Sequence, residues 1–79
     1  MEIQNAQFLS EKLANIGRES NPKNNLSMNE ALHKMNSFCR QAIKNGEMAE
    51  RAKTCFKCAV EQLNKEGYSF FKPEQFNYN

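Results

Sequence analysis

The chain has 79 residues, of which 39% are hydrophobic, and a formal net charge of +2. That length allows one domain, the apolar fraction argues against general disorder, and so small a charge excess does not by itself argue for a nucleic-acid partner. A lone core of this size is only marginally stable, so disulfides, a metal, unusually good helix packing or oligomerisation should each leave a trace.

The first segment, Ile3 to Ile16, has apolar residues Ile3, Ala6, Leu9, Leu13 and Ile16 at spacings of three and four, which predicts an amphipathic helix. Gly17 follows as its expected stop, since glycine takes positive φ without steric cost. Phe8 stands apart, roughly 160° from the centre of the apolar face. Arg18 to Asn25 reads as a connector, because Ser20-Asn21-Pro22 and Asn24-Asn25 are turn chemistry and Pro22 disfavours a helix running through. The second helix is expected to start at Ser27, where Ser27 and Glu30 form a capping-box pattern. Its core face would be Met28, Ala31, Leu32, Met35, Phe38, Cys39, Ala42 and Ile43, with His33, Ser37, Arg40 and Lys44 on the opposite side.

Asn45-Gly46 marks a break, and a third helix is expected from about Glu47 to Glu66, ending at Gly67. Its face would be Met48, Ala52, Cys55, Phe56, Ala59, Val60 and Leu63. A heptad phase of Met28, Met35, Ala42, Ala49, Phe56 and Leu63 runs straight through Gly46, so one long coiled-coil helix is the competing reading. The charges favour a hairpin: Lys44 falls in a last turn, and Glu47 and Glu50 fall in a first turn, each matched to the helix dipole. The tail then changes character, with Tyr68, Phe70, Phe71, Phe76 and Tyr78 grouped around Pro73.

No signal peptide is visible after Met1, no apolar run is long enough to span a membrane, and no lipidation motif stands at either end. The expected location is cytoplasmic, in the cell or in a host cell, where three thiols stay reduced and form no framework of bridges. The abundance of Asn and Lys is what an AT-rich coding sequence produces, as in some bacteria and many of their phages.

Cys55-Phe56-Lys57-Cys58 is the one motif that names a chemistry. With Cys39 it could form a small zinc site, and with itself a redox pair. In an antiparallel hairpin Cys39 lies level with residues 53–55, but His33 lies a turn or more away on the polar side, so four ligands would be strained. A reactive dithiol sits at a helix N-terminus, whereas this one falls well inside a helix. Core packing of Cys39 and Cys55, with Cys58 at the boundary, is the favoured reading, and no metal or other cofactor is expected. The lone His33 has no acidic partner arranged for general-base work, and no nucleophile–base pair or glycine-rich phosphate loop is present, so no catalysis is expected.

Lys34, Arg40, Lys44, Lys53 and Lys57 form a basic strip that could meet phosphates, although such strips are mostly solvated helix faces. A helix-turn-helix over Phe8 to Met28 fails, because its connector is long and holds Pro22. The aromatic outliers carry more information. The tail either folds back to complete the core or, with Phe8, forms an exposed patch for a partner.

The sequence therefore predicts an all-α, three-helix domain over residues 1–67 with an aromatic C-terminal tail over residues 68–79. A homodimer through the hairpin face would also enlarge the core. The function expected is non-catalytic regulation or inhibition by binding a protein partner, with Phe8, Phe70, Phe71, Phe76 and Tyr78 as contacts. The alternatives are a nucleic-acid binder using Lys34, Arg40, Lys44, Lys53 and Lys57, and a metal module using Cys39, Cys55 and Cys58.

Overall fold

A computed structural model describes residues 2–77 of the backbone, with side chains from Phe8 onward. It is all-helical among these residues: α1 (Glu2–Arg18), α2 (Asn25–Lys44), α3 (Ala49–Lys65), then a single 3-10 turn at Pro73–Gln75. Arg18 at the end of α1 meets Glu66 just past the end of α3, and Gly17 packs on Leu63, so α1 and α3 run parallel. The hairpin turn sends α2 back against both.

Two of the three predicted glycine stops hold, and they hold in the same way. At the end of α2 the Glu47 N–H donates to the Ala42 carbonyl at 2.9 Å and the Gly46 N–H to the Ile43 carbonyl at 3.1 Å. At the end of α3 the Tyr68 N–H donates to Leu63 at 2.9 Å and the Gly67 N–H to Asn64 at 3.1 Å. This paired closure satisfies carbonyls that the helix leaves without partners, and it needs positive φ at the glycine. Gly46 has φ +111 and Gly67 has φ +104. The heptad phase that crosses Gly46 therefore does not make one long helix.

Gly17 is different. It lies inside α1, which continues to Arg18 and closes when the Ser20 hydroxyl donates back to the Gly17 carbonyl at 2.6 Å. A Cβ on Gly17 would overlap the Leu63 Cδ1 methyl, so this glycine serves the close approach of α1 to α3. The start of α2 also differs from expectation. Asn24 is the cap, accepting from Leu26 N–H at 2.9 Å and Ser27 N–H at 3.2 Å. Capping there adds a turn, and the Ser27 hydroxyl instead accepts from the Asn21 N–H at 2.9 Å, which fixes the connector. α3 starts at Ala49, later than expected, with Met48 as an extended residue before it.

The core is close to the one the periodicity marks. Leu9, Leu13, Met28, Ala31, Met35, Cys39, Ala52, Cys55, Phe56, Ala59, Val60 and Leu63 are buried. Leu32, Phe38, Ala42, Ile43 and Ile16 are partly buried against them. Ala14, absent from the expected face, is also buried where α1 meets α3. Met48, expected in the core, is 63% exposed, because the residue before a helix does not follow the helical phase. The side chains of Ile3 and Ala6 lie outside the described residues.

The tail folds back on the helices. Phe71 is fully buried, and its ring meets Phe70 edge-on at 5.4 Å. The Asn64 amide donates to the carbonyls of Tyr68 and Phe71 at 2.8 and 3.0 Å, and the Tyr68 hydroxyl donates to the Arg18 carbonyl at 3.1 Å. Further along, Phe76 packs edge-on against Phe56 at 5.5 Å. The tail thus returns from the end of α3 along α2 and α3 and supplies core that the three helices lack.

Candidate functional site

The two ends of the bundle are finished differently. Where α1 and α3 end, Arg18 holds Glu66 through two bonds, Nε donating to Oε1 at 2.7 Å and NH2 to Oε2 at 2.8 Å, while NH1 donates to Asn15 Oδ1 at 2.6 Å. Hydrogen bonding from Arg18 holds the Glu66 carboxyl below the usual carboxylate range. The tail then covers this end.

The opposite end, at the α2–α3 turn, is left open by the described side chains. Phe8 projects from α1 with 57% of its surface exposed, and Lys12 one turn on places its Nζ 5.1 Å from the ring centroid. Beside Phe8 lies a groove of about 470 Å³ between α1 and the end of α2. Leu9, Phe38 and Ala42 give it an apolar floor, with Gln41, Asn45 and Glu47 at its polar margin. An apolar floor with a polar rim is the usual anatomy of a protein-contact patch. Glu47 is steadied by Arg51, one helical turn on, at 3.5 Å.

Of the aromatic residues expected at a partner surface, the structure keeps Phe8 outside and turns the tail inward. Phe71 is wholly buried, which gives it a packing role in this fold, and Phe70 and Phe76 are partly buried against the core. Tyr78 lies outside the described residues. Leu26 and Met48, at 68% and 63%, are further exposed large hydrophobics among the described residues.

The basic strip is exposed at Lys34, Arg40, Lys44, Lys53 and Lys57. It is not a face of one sign, since Glu50 and Glu61 share α3 with Lys53 and Lys57 at helical-neighbour spacing. Arg40 is also committed to the tail, with NH1 donating to the Asn77 carbonyl at 3.1 Å. His33 is exposed on α2.

The cysteines divide as packing predicts. Cys39 and Cys55 are buried and Cys58 is exposed. Burial pushes the Cys39 thiol up to about 12, and burial also raises Cys55, so both stay protonated and unreactive at neutral pH. Among the described residues no group of three His, Cys, Asp or Glu side chains converges as a metal site, and Cys39, Cys55 and Cys58 do not form one.

Sequence patterning missed Asn36. It is 7% exposed and bonds both the Gln75 carbonyl and the Asn77 N–H. The available signal was an asparagine in a helix interior beside Met35, where its propensity is poor and some other demand has to be met. No helix among the described residues is long and apolar enough to cross a membrane. Compared with protein-family models, curated proteins and solved structures, the chain matches none.

Proposed function

We propose that this chain acts by binding another protein, as a small non-catalytic regulator or inhibitor, and that its contact surface centres on Phe8. One observation carries the reading: a phenylalanine more than half exposed stands beside an apolar groove floored by Leu9, Phe38 and Ala42. Leaving more than half of such a ring in water forgoes a corresponding part of the roughly 1.5–3 kcal/mol that full burial of a phenylalanine returns. The ring is also not needed by the core, which the tail completes through Phe71. The groove suits an apolar helix face or ridge of a partner, which would cover the Phe8 ring and meet Gln41, Asn45 and Glu47 at its margin. Phe71 leaves the set of contacts, and Phe8 with Phe38 replaces it at the centre.

The test is native mass spectrometry of the chain isolated from its own source, alongside the Phe8→Ser variant. A complex with a second protein that is lost in the variant, while far-UV circular dichroism is unchanged, is the expected result. A complex that survives Phe8→Ser removes this surface from consideration. If the retained partner is a nucleic acid and its affinity drops steeply with salt, the basic residues of α2 and α3 are the site instead.

A further inference from the structure

Asn36 lies in the middle of α2, nearly buried, and its carboxamide is spent on main chain. Nδ2 donates to the Gln75 carbonyl at 3.1 Å, and Oδ1 accepts from the Asn77 N–H at 2.8 Å. In an extended chain the carbonyl of one residue and the N–H two residues later point to the same side. A carboxamide carries one donor group and one acceptor side by side, so it satisfies both at once. Such a contact reads the backbone and is indifferent to side-chain identity.

Between those two bonds stands Phe76, with extended backbone at φ −60 and ψ 127. Its ring packs edge-on against Phe56. Arg40 adds a bond to the carbonyl of Asn77. The end of the tail is therefore held as a bound peptide is held, by main-chain bonds and one aromatic anchor. The start of the tail is held differently, by the full burial of Phe71 and the two hydrogen bonds that the Asn64 amide donates to the Tyr68 and Phe71 carbonyls. The 3-10 turn Pro73–Gln75 separates the two parts.

We propose that residues 73–77 are a displaceable strap over a peptide-docking site, whose occupant in trans is an extended segment of a partner protein with an aromatic residue at the position of Phe76. The strap itself shows which chemistry the site accepts. Its release leaves Phe71 in the core, so the helices persist while Asn36 and Phe56 are uncovered. An uncovered carboxamide in a groove favours recapture of a backbone. The strap competes at high effective concentration, because it is tethered, so a partner segment needs contacts beyond those of the strap. This site is independent of the Phe8 groove, and a Phe8→Ser variant should leave it unchanged.

The experiment titrates a fluorescent peptide with the sequence of residues 72–79 into the full-length chain and follows anisotropy. Phe76→Ala in the chain weakens the strap and should raise peptide affinity at least tenfold over the unmodified chain. In that Phe76→Ala background, where the strap no longer competes, Asn36→Ala should lower it at least tenfold. A tail with a purely structural role would not move the two variants in opposite directions. Hydrogen exchange on the unmodified chain supplies a readout that needs no variant. The Asn77 amide should exchange by local opening at least tenfold faster than the Val60 amide in α3. Equal exchange rates at the two amides, or a Phe76→Ala chain that binds the peptide no better than the unmodified one, would overturn the proposal. Peptide binding to the Phe76→Ala chain that survives Asn36→Ala would overturn it too, as would a dimer formed by exchange of tails between two copies.

Discussion

The sealed end of the bundle and its open end are built from similar residues used in opposite ways. At the sealed end, Gly17 lets α1 approach Leu63, Arg18 grips Glu66, and the tail covers the helix ends with Tyr68, Phe70 and Phe71. At the open end, Gly46 turns the chain tightly and no described side chain packs on it, and Phe8 is exposed beside an apolar groove while Met48 is exposed just before α3. The difference teaches that aromatic content does not identify a contact surface. What identifies it is an aromatic ring the core does not use, and the tail decides which rings those are.

The comparison breaks first at Phe71. Phe71→Ala should cost about 3–5 kcal/mol, the usual range for emptying a buried aromatic site. For a domain whose total is expected at roughly 0.05–0.15 kcal/mol per residue, that is a large share, and urea denaturation should show it as a lowered midpoint. An unchanged midpoint would mean that the tail is not part of the core.

The glycines sharpen the comparison, because each fails for a different reason. Gly46→Ala meets no neighbouring atom, yet forces an L side chain to positive φ, at a cost of roughly 1–2 kcal/mol. A D-alanine at position 46 should recover the loss, which a chemically synthesised chain can check by thermal denaturation. Gly17→Ala has no conformational problem and should gain about 1 kcal/mol of helix propensity. Overpacking against the buried Leu63 should cost about 1–3 kcal/mol, leaving a net loss nearer 1 kcal/mol. A Leu63→Ala background should turn Gly17→Ala from harmful to favourable, and a double-mutant cycle measures the coupling.

At the open end, Phe8→Ser should cost no more than about 1 kcal/mol, the order of the exposed Lys12 cation–π contact it removes. A larger loss would show that Phe8 belongs to the core. The smallest effect concerns Glu66. Its folded pKa is depressed by Arg18, so the stabilisation is present above the ordinary glutamate pKa and is lost as pH falls through the folded value. Both partners are about one-third exposed, so solvent and salt screen the pair. Glu66→Gln should remove this small acid-side dependence of the melting temperature and leave the low-pH value nearly unchanged.

Much of the architecture was legible because its causes are local. Apolar spacing marked all three helices, and Gly46 and Gly67 marked two ends whose closure involves only a few consecutive residues. Gly17 carried the same sequence signal, but its use depends on Leu63, distant in the chain. The cap of α2 was misplaced by one turn because Asn24 and Ser27 are both competent caps. The candidate surface was half legible: Phe8 was visible as an outlier on its helix, whereas Phe38 and the groove needed the helices to be assembled. Asn36 carried only a weak hint, since its partners are backbone atoms of the tail.

The sequence by itself determined the helices, their apolar faces and the hairpin, because periodicity, capping and positive φ act over a turn or two of chain. Tertiary structure alone decided the fate of the aromatic residues. Phe71, Phe76 and Phe8 have the same side chain. Whether each lies in the core, under a strap or in water depends on which distant surfaces are left uncovered when α1, α2 and α3 pack.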